Sequence, residues 1–255
     1  MTLRVTMLGS GTSSGVPVIG CRCAVCSSDD PRNRRSRAGA KLELPGGTLL
    51  VDTPTELREQ CLRFGLSRVD GVLYTHAHAD HVFGLDDLRV FNFRQRRDIA
   101  CYGSEATLAS LRRTFWYVFE PGQEGGGKPR LELVPVSGPF AAAGATIVPV
   151  PVLHGALEVL GYRLGSFAYV TDCSRIPEAS FGLLSGVEVL ILGALRYHPH
   201  PTHFSIPEAV AAAERIGASR TYFTHLAHDV DHARLQVQLP PGIELGYDGL
   251  VLELD

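Results

Sequence analysis

Thr75-His76-Ala77-His78-Ala79-Asp80-His81 is the stretch on which the reading of this chain turns. It follows Gly71 to Tyr74, a short apolar run that reads as a strand, so the histidines begin where a strand ends. His76 and His78, two positions apart, can project to one side and grip a single divalent cation. Asp80 and His81 fall where a helix should begin and can reach a second cation close by. Imidazole and carboxylate together suit zinc, manganese or iron. A polar surface turn carrying unrelated histidines is the competing reading, and it leaves the spacing unexplained.

A pair of cations needs further ligands, and other strand ends offer them. His154 follows the apolar run Ala145 to Leu153, Asp172 follows Phe167 to Thr171, and His225 follows Thr221 to Thr224. Each alone reads as a capped turn residue. Together, all at the ends of apolar strands, they read as a ligand set. Asp172 suits a bridge, because one carboxylate can give an oxygen to each of two cations. Asp52, at the end of Thr48 to Asp52, suits an acceptor that orients a histidine rather than a ligand.

Around this constellation, strand-like and helix-like segments alternate without a short repeat or a dividing linker. Leu3 to Leu8 reads as a strand that opens into the Gly/Ser/Thr stretch Gly9 to Gly15. Lys41 to Leu44 and Thr48 to Asp52 form a hairpin about Pro45-Gly46-Gly47. A helix is expected after Thr53 as N-cap, with Pro54 in the first turn and Gly65 past the end. Ser104 to Phe119 reads as one aromatic-rich helix and Gln123 to Lys128 as a glycine-rich surface loop. Strands follow at Leu131 to Val136, Val159 to Leu164 and Val187 to Leu192. Ser205 with Glu208 caps a helix, Pro207 to Ile216, that Gly217 ends. A last strand runs from Leu250 to Leu254. Strands then helices, twice over, predict an α/β class protein: an αββα sandwich of two mixed sheets flanked by helices, as one domain over residues 1–255.

Composition narrows the function. Lys and Arg number 24 against 27 Asp and Glu, a balance of −3, which excludes a protein whose main task is coating nucleic acid. At 45% hydrophobic and 20% charged the chain is of the folded kind. The longest apolar run, Ala141 to Leu153, is interrupted by Gly144, Pro149 and Pro151, so no membrane span is expected. Met1 to Ser14 has one arginine and no signal-peptide core, and a cytoplasmic location is expected.

In that compartment six cysteines argue against disulfides. Cys21, Cys23 and Cys26 crowd into Cys21-Arg22-Cys23-Ala24-Val25-Cys26, one ligand short of a closed zinc site. His228, in Thr224-His225-Leu226-Ala227-His228, is the expected fourth ligand of one structural zinc. That site would pin the long loop at about 9–37. Cys61 and Cys101 read as buried thiols, and Cys173 abuts Asp172. Arg32-Asn33-Arg34-Arg35-Ser36-Arg37 and Arg94-Gln95-Arg96-Arg97 are the concentrated basic runs, each a solvated face or, for the first, a source of a phosphate contact.

The Thr75 to His81 stretch with its later His, Asp and His resembles the metallo-β-lactamase superfamily over nearly the whole chain. The resemblance implies a binuclear centre at one edge of the sandwich. His76, His78 and His154 would hold one metal, Asp80, His81 and His225 the other, and Asp172 would bridge. Leu8-Gly9-Ser10-Gly11-Thr12-Ser13-Ser14-Gly15-Val16-Pro17, the cysteine triplet, His81 to Asn92 and the Thr-His-Leu-Ala-His segment are similar to a narrower branch. It contains the PhnP-type cyclic phosphodiesterase of phosphonate catabolism, which opens phosphoribosyl 1,2-cyclic phosphate. A related cysteine loop occurs in a protein of pyrroloquinoline quinone biosynthesis.

The expected activity is therefore hydrolysis of a small phosphodiester with two divalent metals, zinc or manganese, iron also suiting the ligands. His203, in His198-Pro199-His200-Pro201-Thr202-His203, is the expected proton donor to the leaving oxygen, and the branch carries a histidine there. Asp80 joins it as a catalytic residue besides its ligand part. His198 and His200 are read as supporting loop residues. No substrate-binding residue is named, the partner is a small molecule, and the aromatic helix leaves a homodimer open. Competing readings are a tRNA 3′-end nuclease, against which stands the lack of a long basic insertion, and a thioesterase or lactamase. A non-catalytic zinc scaffold would gain nothing from an open binuclear centre.

Overall fold

The computed structural model describes residues 2–121 and 127–254. The chain begins with β1 (Leu3–Gly9), β2 (Gly39–Leu44), β3 (Gly47–Val51), β4 (Gly71–Leu73), β5 (Ile99–Gly103) and β6 (Leu131–Pro135). It continues with β7 (Phe140–Ala142), β8 (Ala145–His154), β9 (Leu157–Leu164), β10 (Phe167–Val170), β11 (Val189–Gly193), β12 (Arg220–Thr224) and β13 (Ile243–Leu245). β14 (Val251–Leu254) returns to pair with β1. Two seven-stranded sheets result, in the orders β14-β1-β2-β3-β4-β5-β6 and β13-β12-β11-β10-β9-β8-β7. In each sheet antiparallel hairpin strands lead into a parallel run, β3 to β6 in the first and β10 to β13 in the second.

The helices are α1 (Leu57–Arg63), α2 (Ala79–Val82), α3 (Leu88–Gln95), α4 (Glu105–Thr114), α5 (Trp116–Phe119), α6 (Glu178–Leu184), α7 (Ile206–Ile216) and α8 (His232–Gln236). The strand side chains alternate between two apolar layers, as the pleat requires. Val5, Leu42, Val51, Tyr162, Phe167 and Ile191 fill the space between the sheets. Leu50, Val72 and Cys101 face outward and are covered by Leu57, Leu88 and Leu111 of α1, α3 and α4. Leu190, Leu192 and Phe223 are covered by Leu184, Ala209 and Leu235 of α6, α7 and α8. The architecture is the αββα sandwich. Among the described residues no helix is long and apolar enough to cross a membrane.

Two expected helices differ in the structure. Thr53 is not an N-cap: its N–H donates to the His81 carbonyl, its own carbonyl accepts from Gly84, and its hydroxyl meets Tyr74 Oη at 3.0 Å. Those bonds tie the end of β3 to α2, and α1 starts only at Leu57. The stretch from Ser104 breaks at Phe115 into α4 and α5, so that Phe115 and Val118 are buried while Trp116 and Tyr117 face solvent. Of the expected glycine-rich loop, residues 123–126 lie outside the described residues. The α7 start matches its capping signal, Ser205 and Glu208 closing a reciprocal box.

Candidate metal centres

The parallel strands carry their carboxyl ends to one edge of the sandwich, and the chemistry collects there. Asp52 follows β3, His76 follows β4, His154 ends β8, Asp172 follows β10 and His225 follows β12. Asp52, Asp172 and His225 sit in the left-handed region, with φ of 63°, 51° and 61°. Asp and His are among the non-glycine residues that tolerate it, and strained backbone of this kind gathers at functional sites.

His76, His78 and His154 form one group, and Asp80, His81, Asp172 and His225 another, each with ligand atoms within 4.8 Å of one another. The Asp172 carboxylate faces both. Its Oδ2 is 3.7 Å from His76 Nε2 and 3.4 Å from His81 Nε2, and its Oδ1 is 3.3 Å from His225 Nε2. Asp80 Oδ2 lies 3.4 Å from His81 Nε2 and 3.6 Å from His225 Nε2. His203 stacks on His225 at 4.8 Å between ring centres and meets His154 edge-on at 4.6 Å. His200 sits behind it, ring centres 5.1 Å apart. His198 is exposed, and its carbonyl accepts from Arg196.

The imidazoles are held by groups on their far side. Asp52, fully buried, accepts from His81 Nδ1 at 2.7 Å and from the Thr75 N–H and hydroxyl at 2.8 and 2.9 Å. His154 Nδ1 donates to the Thr202 carbonyl at 2.7 Å. Each of these bonds puts the proton on Nδ1 and leaves Nε2 with a lone pair. Thr202 carries no sequence signal for this part, since a carbonyl acceptor can belong to any residue.

The electrostatics fit cations. His81 Nε2 and both ring nitrogens of His225 are buried without a hydrogen-bond partner, a costly state that a cation taking the one lone pair of each neutral ring would relieve. Burial and the neighbouring His81 push His76 well below the ordinary imidazole value, keeping it neutral. Burial works against the charge of Asp172, yet the imidazoles of His225 and His81 outweigh it and hold the carboxyl well below the usual range. Burial and His225 push His203 down to about 3. Burial works against a charged His81, yet the carboxylates of Asp172 and Asp52 outweigh it and raise that ring well above the ordinary value, so a divalent cation bound there would displace a proton from it.

The second cluster lies beyond His225 on the same segment. Cys21, Cys23 and Cys26 place Sγ at 3.4, 3.5 and 3.6 Å from His228 Nδ1. A tetrahedral zinc with Zn–S of about 2.3 Å and Zn–N of about 2.05 Å would put sulfur and nitrogen about 3.6 Å apart. The N–H groups of Val18, Cys23 and Cys26 point at these sulfurs, as they would at thiolates. The Cys26 N–H draws the Cys23 thiol down to about 6, while burial pushes Cys26 up to about 11. Cys61 and Cys101 lie elsewhere, and Cys173 is buried with its thiol pushed up, an inert group.

Arg35 ties the cysteine loop to the segment that carries His228, and the sequence marked it only as part of a basic run. It is 1% exposed and donates to the carbonyls of Arg32, Ala227 and Val230 and to Asn33 Oδ1. Ala227 and Val230 flank His228, so the cysteine loop and the histidine segment meet on this guanidinium.

Two mixed sheets between helices, with histidines and aspartates gathered at their shared edge, define the metallo-β-lactamase class. The sequence profile of the beta-lactamase superfamily domain matches residues 48–226, and the chain belongs to that superfamily. Within it the chain is similar to a solved diphosphatase from the PhnP family, 45% identical with a TM-score of 0.94, the match covering 100% of this chain and 98% of that one. It is 38% identical over 261 residues to an octanoyltransferase of Porphyromonas gingivalis, covering 99% of this chain and 52% of that protein. The chain thus spans about half the length of that relative. It is 25% identical over 237 residues to coenzyme PQQ synthesis protein B of Methylobacterium radiotolerans, covering 77% of this chain and 74% of the other.

Proposed function

We propose that this chain is a metal-dependent hydrolase that opens a small phosphodiester, a cyclic ribose phosphate being the substrate class that fits best. The observation that carries the reading is the Asp172 carboxylate, whose two oxygens face histidines of both ligand groups. His76, His78 and His154 would hold one divalent ion, and Asp80, His81 and His225 the other, with Asp172 shared. Bound there, the two ions would supply electrophilic charge and a water that ionises near neutral pH. A similarity to a PhnP-family diphosphatase supports phosphorus over acyl carbon as the target.

The chain's own residues do the rest. Asp52 and the Thr202 carbonyl aim the imidazoles of His81 and His154, and burial of His76, His81, His154 and His225 keeps bulk water from competing for them, while His78 faces solvent. His203, against His154 and His225, is placed beside the centre where a leaving oxygen would depart. Its ring is neutral in the free site, so it first offers an N–H hydrogen bond. The negative charge of a phosphate alongside favours protonation of the ring, from which the leaving oxygen takes its proton. Acyl transfer through a thiolate would need Cys173, which is buried and hard to ionise.

Metal analysis together with turnover of bis-p-nitrophenyl phosphate, 2′,3′-cyclic nucleotides and a ribose 1,2-cyclic phosphate tests the proposal. His76→Ala and Asp172→Ala are expected to lose bound metal and turnover while circular dichroism stays that of the parent. Turnover near the parent level in either variant refutes the binuclear assignment.

A further inference from the structure

The two basic runs of the sequence meet different fates. In the first, Arg32 pairs with Asp30, Arg35 is buried on carbonyls and Arg37 pairs with Glu56. In the second, Arg97 pairs with Asp70 while Arg94 stays open. Arg94 lies in the last turn of α3 and Arg97 precedes β5, and both line a cleft of about 460 Å³ with Ser67 and Arg68, from the approach to β4. Gln95 forms the wall, its amide spent on the backbone of Val69. Three guanidiniums converge on this cleft, Arg94 and Arg97 from the α3–β5 segment and Arg68 from the approach to β4, and one carboxylate answers them. Asp70, with a side chain 9% exposed, takes both Arg68 and Arg97 and also accepts from the Thr48 N–H. Arg94 has no carboxylate partner among the described residues. The helix dipole of α3 accounts for one arginine in its last turn. It does not account for Arg97, past the end of the helix, or for Arg68 arriving from the approach to β4.

We propose that this cleft is a second binding site, for a small molecule carrying a diphosphate group. Planar guanidinium forks match phosphate oxygens two at a time, and a surplus of two positive charges suits a polyanion of small size. The site is separate from the metal centres. Asp70 precedes the amino end of β4 and His76 follows its carboxyl end, so the cleft and the metal centre open at opposite ends of that strand, up to about 20 Å apart at strand rise. It therefore does not depend on the hydrolase reading.

Hydrogen–deuterium exchange of the metal-loaded protein with millimolar pyrophosphate tests the site by location. Peptides covering 66–71 and 93–99 are expected to gain protection. In Arg94→Gln/Arg97→Gln that protection disappears and calorimetric affinity for this site falls by about tenfold or more, with circular dichroism unchanged. Should the double substitution fail to fold, Arg94→Gln alone, exposed and unpaired, carries the same comparison. Absence of protection in the parent, or its persistence in the variant, overturns the proposal. So does stronger protection of the same peptides by an RNA oligonucleotide, which would make the cleft a nucleic-acid surface.

Discussion

Asp52 shows how much one buried carboxylate can decide. Its oxygens are shared between the Thr75 N–H, the Thr75 hydroxyl and His81 Nδ1. In Asp52→Asn the amide oxygen must still serve the Thr75 N–H, which turns the NH2 toward His81 and forces the proton of that ring onto Nε2. The lone pair facing Asp80 and Asp172 is lost while volume is kept. Retained metal and bis-p-nitrophenyl phosphate turnover are expected to drop by about 10–100-fold, the usual cost of removing a ligand's orienting partner. Parent-like metal content would show that His81 does not depend on Asp52. His203 calls for a different readout, because its proposed part scales with the leaving group. His203→Ala should keep its metal and slow alkyl phosphodiesters by about a hundredfold or more, sparing p-nitrophenolate, which scarcely needs a proton. Equal losses on both would remove it from the donor role.

At the scale of elements, the strand-to-site logic was legible in the sequence because it rests on local pattern. Apolar runs ending in His or Asp place β4, β8, β10 and β12, and the cysteine spacing with His228 needs no knowledge of the sheets. What stayed hidden depends on tertiary contact. Thr53 carries every local mark of an N-cap, yet its donors and acceptors are spent on α2, a segment nearly thirty residues away. The break at Phe115 follows from which aromatics the sheet can cover. Arg35 looks like its neighbours in the sequence and differs only in being enclosed by the 227–230 segment. Arg35→Met would leave the carbonyls of Ala227 and Val230 without donors. Replacing a buried ion pair by apolar residues can be neutral, but here the partners are main-chain groups that methionine cannot satisfy. A loss of about 3 kcal/mol in urea unfolding is expected, with less zinc retained at the cysteine cluster. Arg35→Lys keeps the charge but not the fan of donors and should recover little. An unfolding midpoint equal to the parent's would mean the loop is held by zinc and backbone pairing alone.

For the whole molecule, the same enclosure sets how stability responds to acid. His232 is 3% exposed, its Nδ1 has no hydrogen-bond partner, and burial with Arg32 and Arg35 close by pushes the ring down to about 4. Asp30 and Asp231 oppose this without reversing it. In the unfolded chain an ordinary imidazole takes up its proton near pH 6.5. A depressed folded value means the stabilising contribution is complete above that point. As pH falls from about 6.5 toward 4 the unfolded state binds a proton that the folded state refuses, and up to about 1.4 kcal/mol per pH unit is lost. Metal ligands also protonate in acid, so the slope of the parent alone cannot be assigned to one ring. The comparison with His232→Asn isolates it, because an amide does not titrate and the metal sites are common to both proteins. Urea unfolding between about pH 7 and pH 5 should show the parent losing stability faster than the variant, the curves converging toward acid. Parallel curves would place the acid sensitivity in the metal clusters and leave His232 without a part in it.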